Sequence, residues 1–71
     1  MKMVEVKSSS VVSVGYSAGN KSMDIQFKSG LYRYENVPPV IYDEMLKAES
    51  VGKFVAKNVK GYFHYMIVPK E

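Results

Sequence analysis

Residues 23–35 read MDIQFKSGLYRYE, and this stretch decides the fold. Apolar and polar residues alternate over 23–28, which is typical of a β-strand with one buried face. Residues 31–35 predict a second strand, and Ser29-Gly30 between the two predicts a tight turn. The stretch therefore predicts an antiparallel hairpin at the centre of a sheet.

The length of the turn predicts which side chains share a face of this hairpin. A two-residue loop at 29–30 places Phe27 opposite Tyr32 and Ile25 opposite Tyr34. A four-residue loop keeps this pairing, and a three-residue loop would not. Opposed residues point to the same side of a sheet, so both tyrosines are predicted to face the core. The other face is predicted to carry Asp24, Gln26, Lys28, Leu31, Arg33 and Glu35.

The segments around the hairpin complete the predicted fold. Residues 11–16 are rich in β-branched residues and predict a strand that precedes the hairpin, whereas residues 1–9 predict a loose N-terminal arm. Pro39 predicts the start of a first helix. A second helix is predicted over 51–60, with Ser50 as its N-cap.

The predicted class is α+β, with one domain over residues 1–71. The predicted architecture is a three-stranded antiparallel meander with two helices packed on one face. Residues 62–68 are aromatic and β-prone, and they form either a fourth, C-terminal strand or an extended tail. The free sheet edges are then the first and third strands, or this C-terminal segment.

Composition excludes several classes of function. The 71 residues contain no cysteine and one histidine, which excludes thiol chemistry and makes a metal site unexpected. No apolar run approaches the roughly 20 residues of a membrane span. The first seven residues carry charges and lack the apolar region of a secretory signal. We expect a cytoplasmic protein with no cofactor, no metal and no membrane contact.

The positive charge is concentrated near the C-terminus, where residues 51–71 hold four lysines and one glutamate. Lys53, Lys57 and Lys60 are spaced i, i+4, i+7, so the outer two lie roughly 10 Å apart along a helix. They could follow a phosphate backbone, with Arg33 extending the surface. Such lysines more often form a solvated helix face that keeps a domain soluble. In the predicted register Arg33 lies opposite Gln26, and it could instead form an ion pair with Asp24 on the diagonal.

Other candidates have a structural explanation beside the functional one. Tyr32 and Tyr34 could stack on unpaired bases, although the predicted register places them in the core. Serines at 8, 9 and 50 could bind a ligand, but capping and turn roles are commoner. Asn58 falls within the apolar stripe of the second helix and predicts a buried amide with a partner. His64 belongs to no recognisable catalytic arrangement.

An ordered set of short motifs resembles the KTSC domain family over about Val6 to Tyr62. A serine pair precedes a Gly-Tyr strand end, and a Phe-x-x-Gly turn leads to Tyr-x-Tyr and Val-Pro. Ala-x-Ser-x-Gly then leads into a basic helix. The matching residues are Ser8, Ser9, Gly15, Tyr16, Phe27, Gly30, Tyr32, Arg33, Tyr34, Val37, Pro38, Tyr42, Ala48, Ser50, Gly52, Phe54, Val59 and Lys60.

This resemblance implies a small module from bacterial or phage proteins that also occurs at the C-terminus of some lysyl-tRNA synthetases. It implies no known catalysis, and RNA binding is its usual suggested role. The chain departs from the family pattern at Ser17, where an acidic residue is usual, and at Val55-Ala56, where Phe-Asn is frequent.

Two functional hypotheses follow for a non-enzymatic domain. The first is RNA binding, of a tRNA-like partner, through Lys53, Lys57, Lys60 and Arg33, with Tyr32 and Tyr34 as candidate stacking residues. The second is interaction with a protein partner or self-association, because residues 62–68 are more apolar than a surface tail.

Overall fold

The computed structural model describes residues 3–8 and 10–69, and within them the chain forms five strands and two helices. The five strands make one antiparallel sheet in which spatial order follows chain order, β1-β2-β3-β4-β5. The elements are β1 (Val4–Glu5), β2 (Val11–Ser17), β3 (Ser22–Phe27), β4 (Gly30–Tyr34), α1 (Pro39–Lys47), α2 (Val51–Asn58) and β5 (Tyr65–Val68).

The predicted α+β class is confirmed, and the sheet is larger than the three strands of the prediction. The open question about residues 62–68 has an answer, because Tyr65–Val68 pairs with β4 as a C-terminal strand. The prediction of a loose arm over 1–9 is wrong for its middle, where Val4 pairs with Val14 and Glu5 with Ser13. Met1, Lys2 and Ser9 lie outside the described residues.

The β3–β4 hairpin has the predicted faces but a different register. Ile25 pairs with Tyr32 and Met23 with Tyr34, so Lys28 and Ser29 form the loop in place of 29–30. This slip of two residues preserves the side of the sheet to which each side chain points, because side chains alternate with a period of two. Gly30 pairs with Phe27 at a φ of 156°, which a glycine adopts more readily than other residues.

Both helices begin as their sequences predict. Pro39 opens α1, where its missing N–H leaves no hydrogen bond unmade. The Ser50 hydroxyl accepts a hydrogen bond from the Lys53 N–H at 3.3 Å and so caps α2. α2 ends at Asn58, two residues earlier than predicted, and the amide of Asn58 is exposed, contrary to the prediction of a buried group.

The core lies between the helices and one face of the sheet. The fully buried Tyr34, Met23 and Ile25 from the sheet pack in one cluster with Met45 of α1 and Val55 of α2. A shift in register between Val11 and Ser13 allows both Val11 and Val14 to join this core, because an extra residue at a bulge interrupts the alternation. Within the described residues both helices therefore cover the same face.

The approach of α2 to the chain before β2 requires a glycine. A Cβ on Gly52 would lie 2.8 Å from the Ser10 hydroxyl oxygen and 3.1 Å from that of Ser8. These distances are shorter than ordinary van der Waals contact, so a side chain here would push the serines away.

No helix in the described part of the chain is long and apolar enough to cross a membrane.

Candidate nucleic-acid interface

An open cleft of about 360 Å³ lies where the end of α2 meets the β4–β5 edge of the sheet. Tyr32 and Tyr34 reach it from β4, and Tyr65 reaches it from β5. Lys60 and Gly61 line it from the turn that follows α2. The cleft thus combines three phenol rings with one ammonium group.

The pairing of β4 with β5 brings the three rings together. Tyr34 and Tyr65 are directly opposed and so point to the same side of the sheet. The Tyr65 ring lies with its centroid 5.4 Å from that of Tyr32 and 5.6 Å from that of Tyr34, at interplanar angles of 31° and 42°. Phe27 meets Tyr32 edge-to-face at 5.2 Å. These separations are typical of favourable aromatic contacts.

The three tyrosines differ in how far a ligand could reach them. Tyr34 is 1% exposed and forms the floor of the cleft, whereas Tyr65 is 57% exposed. Tyr32 is half-buried and packs against the core cluster. Burial raises the pKa of Tyr34, and the neighbouring Tyr65 and Tyr32 raise that pKa further. A base stacking in the cleft would therefore meet Tyr65 and the exposed part of Tyr32.

The turn after α2 directs Lys60 toward the aromatic cluster. The backbone N–H groups of Val59 and Lys60 both donate to the Val55 carbonyl, at 3.0 and 2.9 Å, and end the helix. Gly61 follows with a φ of 86°, a value that favours glycine. The Lys60 ammonium nitrogen lies 5.1 Å from the centroid of the Phe27 ring, within cation–π range.

The structure places the three candidate lysines on and just after α2 without a regular helical row. Lys53 and Lys57 lie four residues apart on α2, and both are exposed. Lys60 lies beyond the helix and is also exposed, so the predicted i, i+4, i+7 row ends at its second member. Among the described residues, the only ion pair is between Arg33 and Asp24, so none of the three lysines is ion-paired within that part of the chain.

Arg33 does not belong to this surface. It lies directly opposite Asp24, where the prediction had Gln26 opposite and Asp24 on the diagonal. Its guanidinium donates two hydrogen bonds to the Asp24 carboxylate, at 2.8 and 3.1 Å. The hydrogen bonds and the charge of Asp24 raise the pKa of Arg33. Asp24 alternates with the core residues of β3, so this pair lies on the face of the sheet opposite the helices.

A polar depression of about 460 Å³ surrounds Arg33 on this second face. Three of its lining residues lie in strands, namely Ser17 of β2, Ser22 of β3 and Arg33 of β4. The sequence reasoning did not predict this depression, because the other half of its lining comes from segments beyond the strand ends. These remaining lining residues are Asn20, Glu35 and Asn36.

The motif serines have structural roles in the part of the chain that is described. The Ser8 hydroxyl accepts from the backbone N–H groups of Ser10 and Val11, each at 3.4 Å. Ser50 caps α2, as described above. These contacts agree with the capping and turn roles favoured by the sequence. Ser9 lies outside the described residues.

The remaining polar candidates form no chemical site. His64 is exposed, and its carbonyl accepts the Glu35 N–H at 2.8 Å as β5 begins. No group of three or more histidine, cysteine or carboxylate side chains in the described ranges is arranged to hold a metal ion.

Sequence reasoning missed Tyr65 as a member of the aromatic cluster. Its position depends on the pairing of β5 with β4, two segments separated by both helices. The aromatic composition of residues 62–68 was the available signal, and it marked the segment as unusual. Composition alone does not predict the strand with which the segment pairs.

The fold and the cleft define a class, a small α+β domain with a meander sheet, two helices on one face, and an aromatic and basic cleft at one edge. The chain belongs to the KTSC domain family, whose model matches residues 7–65. This confirms the family that the sequence motifs resembled.

Individual relatives agree with this assignment. A protein of Stutzerimonas stutzeri (strain A1501), described as uncharacterized, is 44% identical over 54 residues, 75% of this chain and 76% of its own. A protein of Tsukamurella paurometabola is 39% identical over 62 residues, 86% of this chain and 92% of its own. The crystal structure of a KTSC domain protein from Yersinia pestis matches with a TM-score of 0.93 at 32% identity, covering 96% of this chain and 97% of that one.

Proposed function

We propose that this domain is a non-catalytic module that binds single-stranded RNA in the Tyr32–Tyr65 cleft and along α2. The observation that carries the proposal is the position of Lys60, whose ammonium group shares a cleft with three phenol rings. Proteins that bind single strands combine aromatic rings that stack on bases with cations that follow the phosphates.

The geometry favours a single strand over a duplex. A base must leave its stack to lie against Tyr65, which is 57% exposed at the rim of the cleft. A duplex keeps its bases stacked and offers only backbone and groove edges to a protein. The exposed Lys53 and Lys57 then lie on the helix that leads away from the cleft, where adjacent phosphates of the same strand would pass.

The experiment is a titration of a fluorescent single-stranded RNA with the whole chain at several salt concentrations. If three lysines each neutralise one phosphate, the logarithm of affinity falls with the logarithm of salt at a slope of about 2. Replacement of Lys53, Lys57 and Lys60 by glutamate should abolish binding. The matched control replaces Lys21, Lys28 and Lys47, three other exposed lysines, with the same change in net charge.

A second variant separates stacking from charge. Tyr65→Ala should weaken binding by about 1–3 kcal/mol, since it removes one stacking platform and no charge. Tyr62→Ala is its control, because Tyr62 is 73% exposed and lies outside the cleft lining. Unmeasurable affinity at low salt, or equal effects of the two lysine triplets, would contradict the proposal.

A further inference from the structure

The outer strand of the sheet, β5, carries exposed apolar side chains on both of its faces. Tyr65, Met66 and Ile67 are 57%, 49% and 61% exposed, although they lie within a paired strand. Residues 65–68 carry no charge. Charged side chains are one means by which proteins protect sheet edges from pairing with other strands, and this edge lacks it.

The backbone of β5 offers hydrogen-bonding groups at regular spacing on its outer side. The Glu35 N–H donates to the His64 carbonyl, so the backbone groups of residue 64 point toward β4. In an antiparallel ladder this direction alternates, which points the groups of Met66 and Val68 toward β4 and those of Tyr65 and Ile67 outward. Among residues 3–8 and 10–69, no strand lies beyond β5 to receive them.

We propose that two copies of this chain pair antiparallel through β5, with the two-fold axis at Met66, and form a continuous ten-stranded sheet. In this register Tyr65 of each copy lies opposite Ile67 of the other. Each of these pairs has outward N–H and C=O groups and exchanges two hydrogen bonds, four in total. This symmetric edge pairs with itself without a change of backbone conformation.

The faces of the two copies also match in this register. Tyr65 and Ile67 lie opposite Tyr34 and Tyr32 of β4, so both point to the helix-covered side. They therefore meet on one side of the joined sheet, and the two Met66 side chains meet on the other. A register centred on Ile67 would instead place Tyr65 opposite Pro69, which has no N–H to donate.

Cross-linking tests the register directly, because the chain has no natural cysteine. Met66 faces itself across the axis in a non-hydrogen-bonded pair, where Cα atoms about 4.5 Å apart suit a disulfide. Met66→Cys should form a covalent dimer under mild oxidation at least tenfold faster than Ile67→Cys or Val40→Cys. Faster cross-linking of Ile67→Cys would overturn the register, and equal rates for all three would overturn the dimer.

Sedimentation equilibrium of the chain without nucleic acid tests the association itself. We expect a concentration-dependent rise from 8.0 kDa toward twice that mass. Ile67→Lys should abolish the rise, and Val40→Lys, at a 55% exposed residue of α1, should not. A monomer at every concentration, including one that binds only a different protein through β5, would refute the proposal. Since Met66 and Ile67 lie outside the RNA cleft lining, failure here leaves the RNA-binding proposal unaffected.

Discussion

The two faces of the sheet are shielded from water by different means. The face toward the helices buries aliphatic and aromatic side chains, with Met23, Ile25 and Tyr34 at 0–1% exposure. On the other face a single ion pair protects Asp24, which is 5% exposed although no helix covers it. The comparison indicates that hydrophobic burial on one face carries the stability, whereas the other face depends on local polar pairing.

The largest expected effect comes from the covered face. Tyr34→Ala should lower the free energy of unfolding by about 3–5 kcal/mol, because it leaves a cavity beneath both helices. Urea denaturation followed by circular dichroism measures it. Tyr65→Ala, at an exposed ring of the same cluster, should cost under about 1 kcal/mol. Equal losses for the two variants would show that the helices do not protect Tyr34.

A smaller effect is expected from the open face. Arg33→Met should lower the free energy of unfolding by about 1–3 kcal/mol, because the buried Asp24 carboxylate loses its partner. The double variant Arg33→Met with Asp24→Val should recover most of the lost free energy of unfolding, since neither charge then remains. The same denaturation experiment measures it. A double variant as unstable as the single one would mean that Arg33 acts through packing instead of charge.

The smallest effect appears at alkaline pH and again concerns the covered face. The raised pKa of Tyr34 means that its neutral form is favoured in the folded state. Its stabilising contribution is complete below the ordinary tyrosine pKa of about 10 and is lost as pH rises from there through the folded-state pKa. Tyr34→Phe, which cannot ionise, should lose less stability across this window in urea titrations. Identical pH profiles for the two chains would contradict this expectation.

The faces of the central hairpin were predictable from sequence, and its register was not. Alternation over 23–28 and 31–35 determines which side chains face the helices. A slip of the strand pairing by an even number of residues leaves each side chain on the same face of the sheet. The actual loop, Lys28 and Ser29, contains no turn glycine, and Gly30 instead begins β4. Turn composition therefore suggested a loop one residue too far along the chain, which moves each pairing partner on β4 by two residues.

The two outer strands and the cleft depend on contacts that local patterns do not encode. β1 has only two residues, Val4 and Glu5, which is too short for a periodic signal. The cleft requires α2 to end at Asn58, so that Lys60 turns toward Phe27. The sequence identified Lys60 and Tyr32 as candidates, but only the packed structure brings them to one cleft.

During synthesis the strands leave the ribosome in the order in which they lie in the sheet. β2, β3 and β4 join through short turns, and such local pairing costs little loop entropy and forms quickly. β5 reaches β4 only after both helices have been made, so it is the natural last addition to the sheet. Until β5 pairs, β4 is an unpaired edge of the folding sheet, and a chaperone or a neighbouring chain could pair with it during that interval.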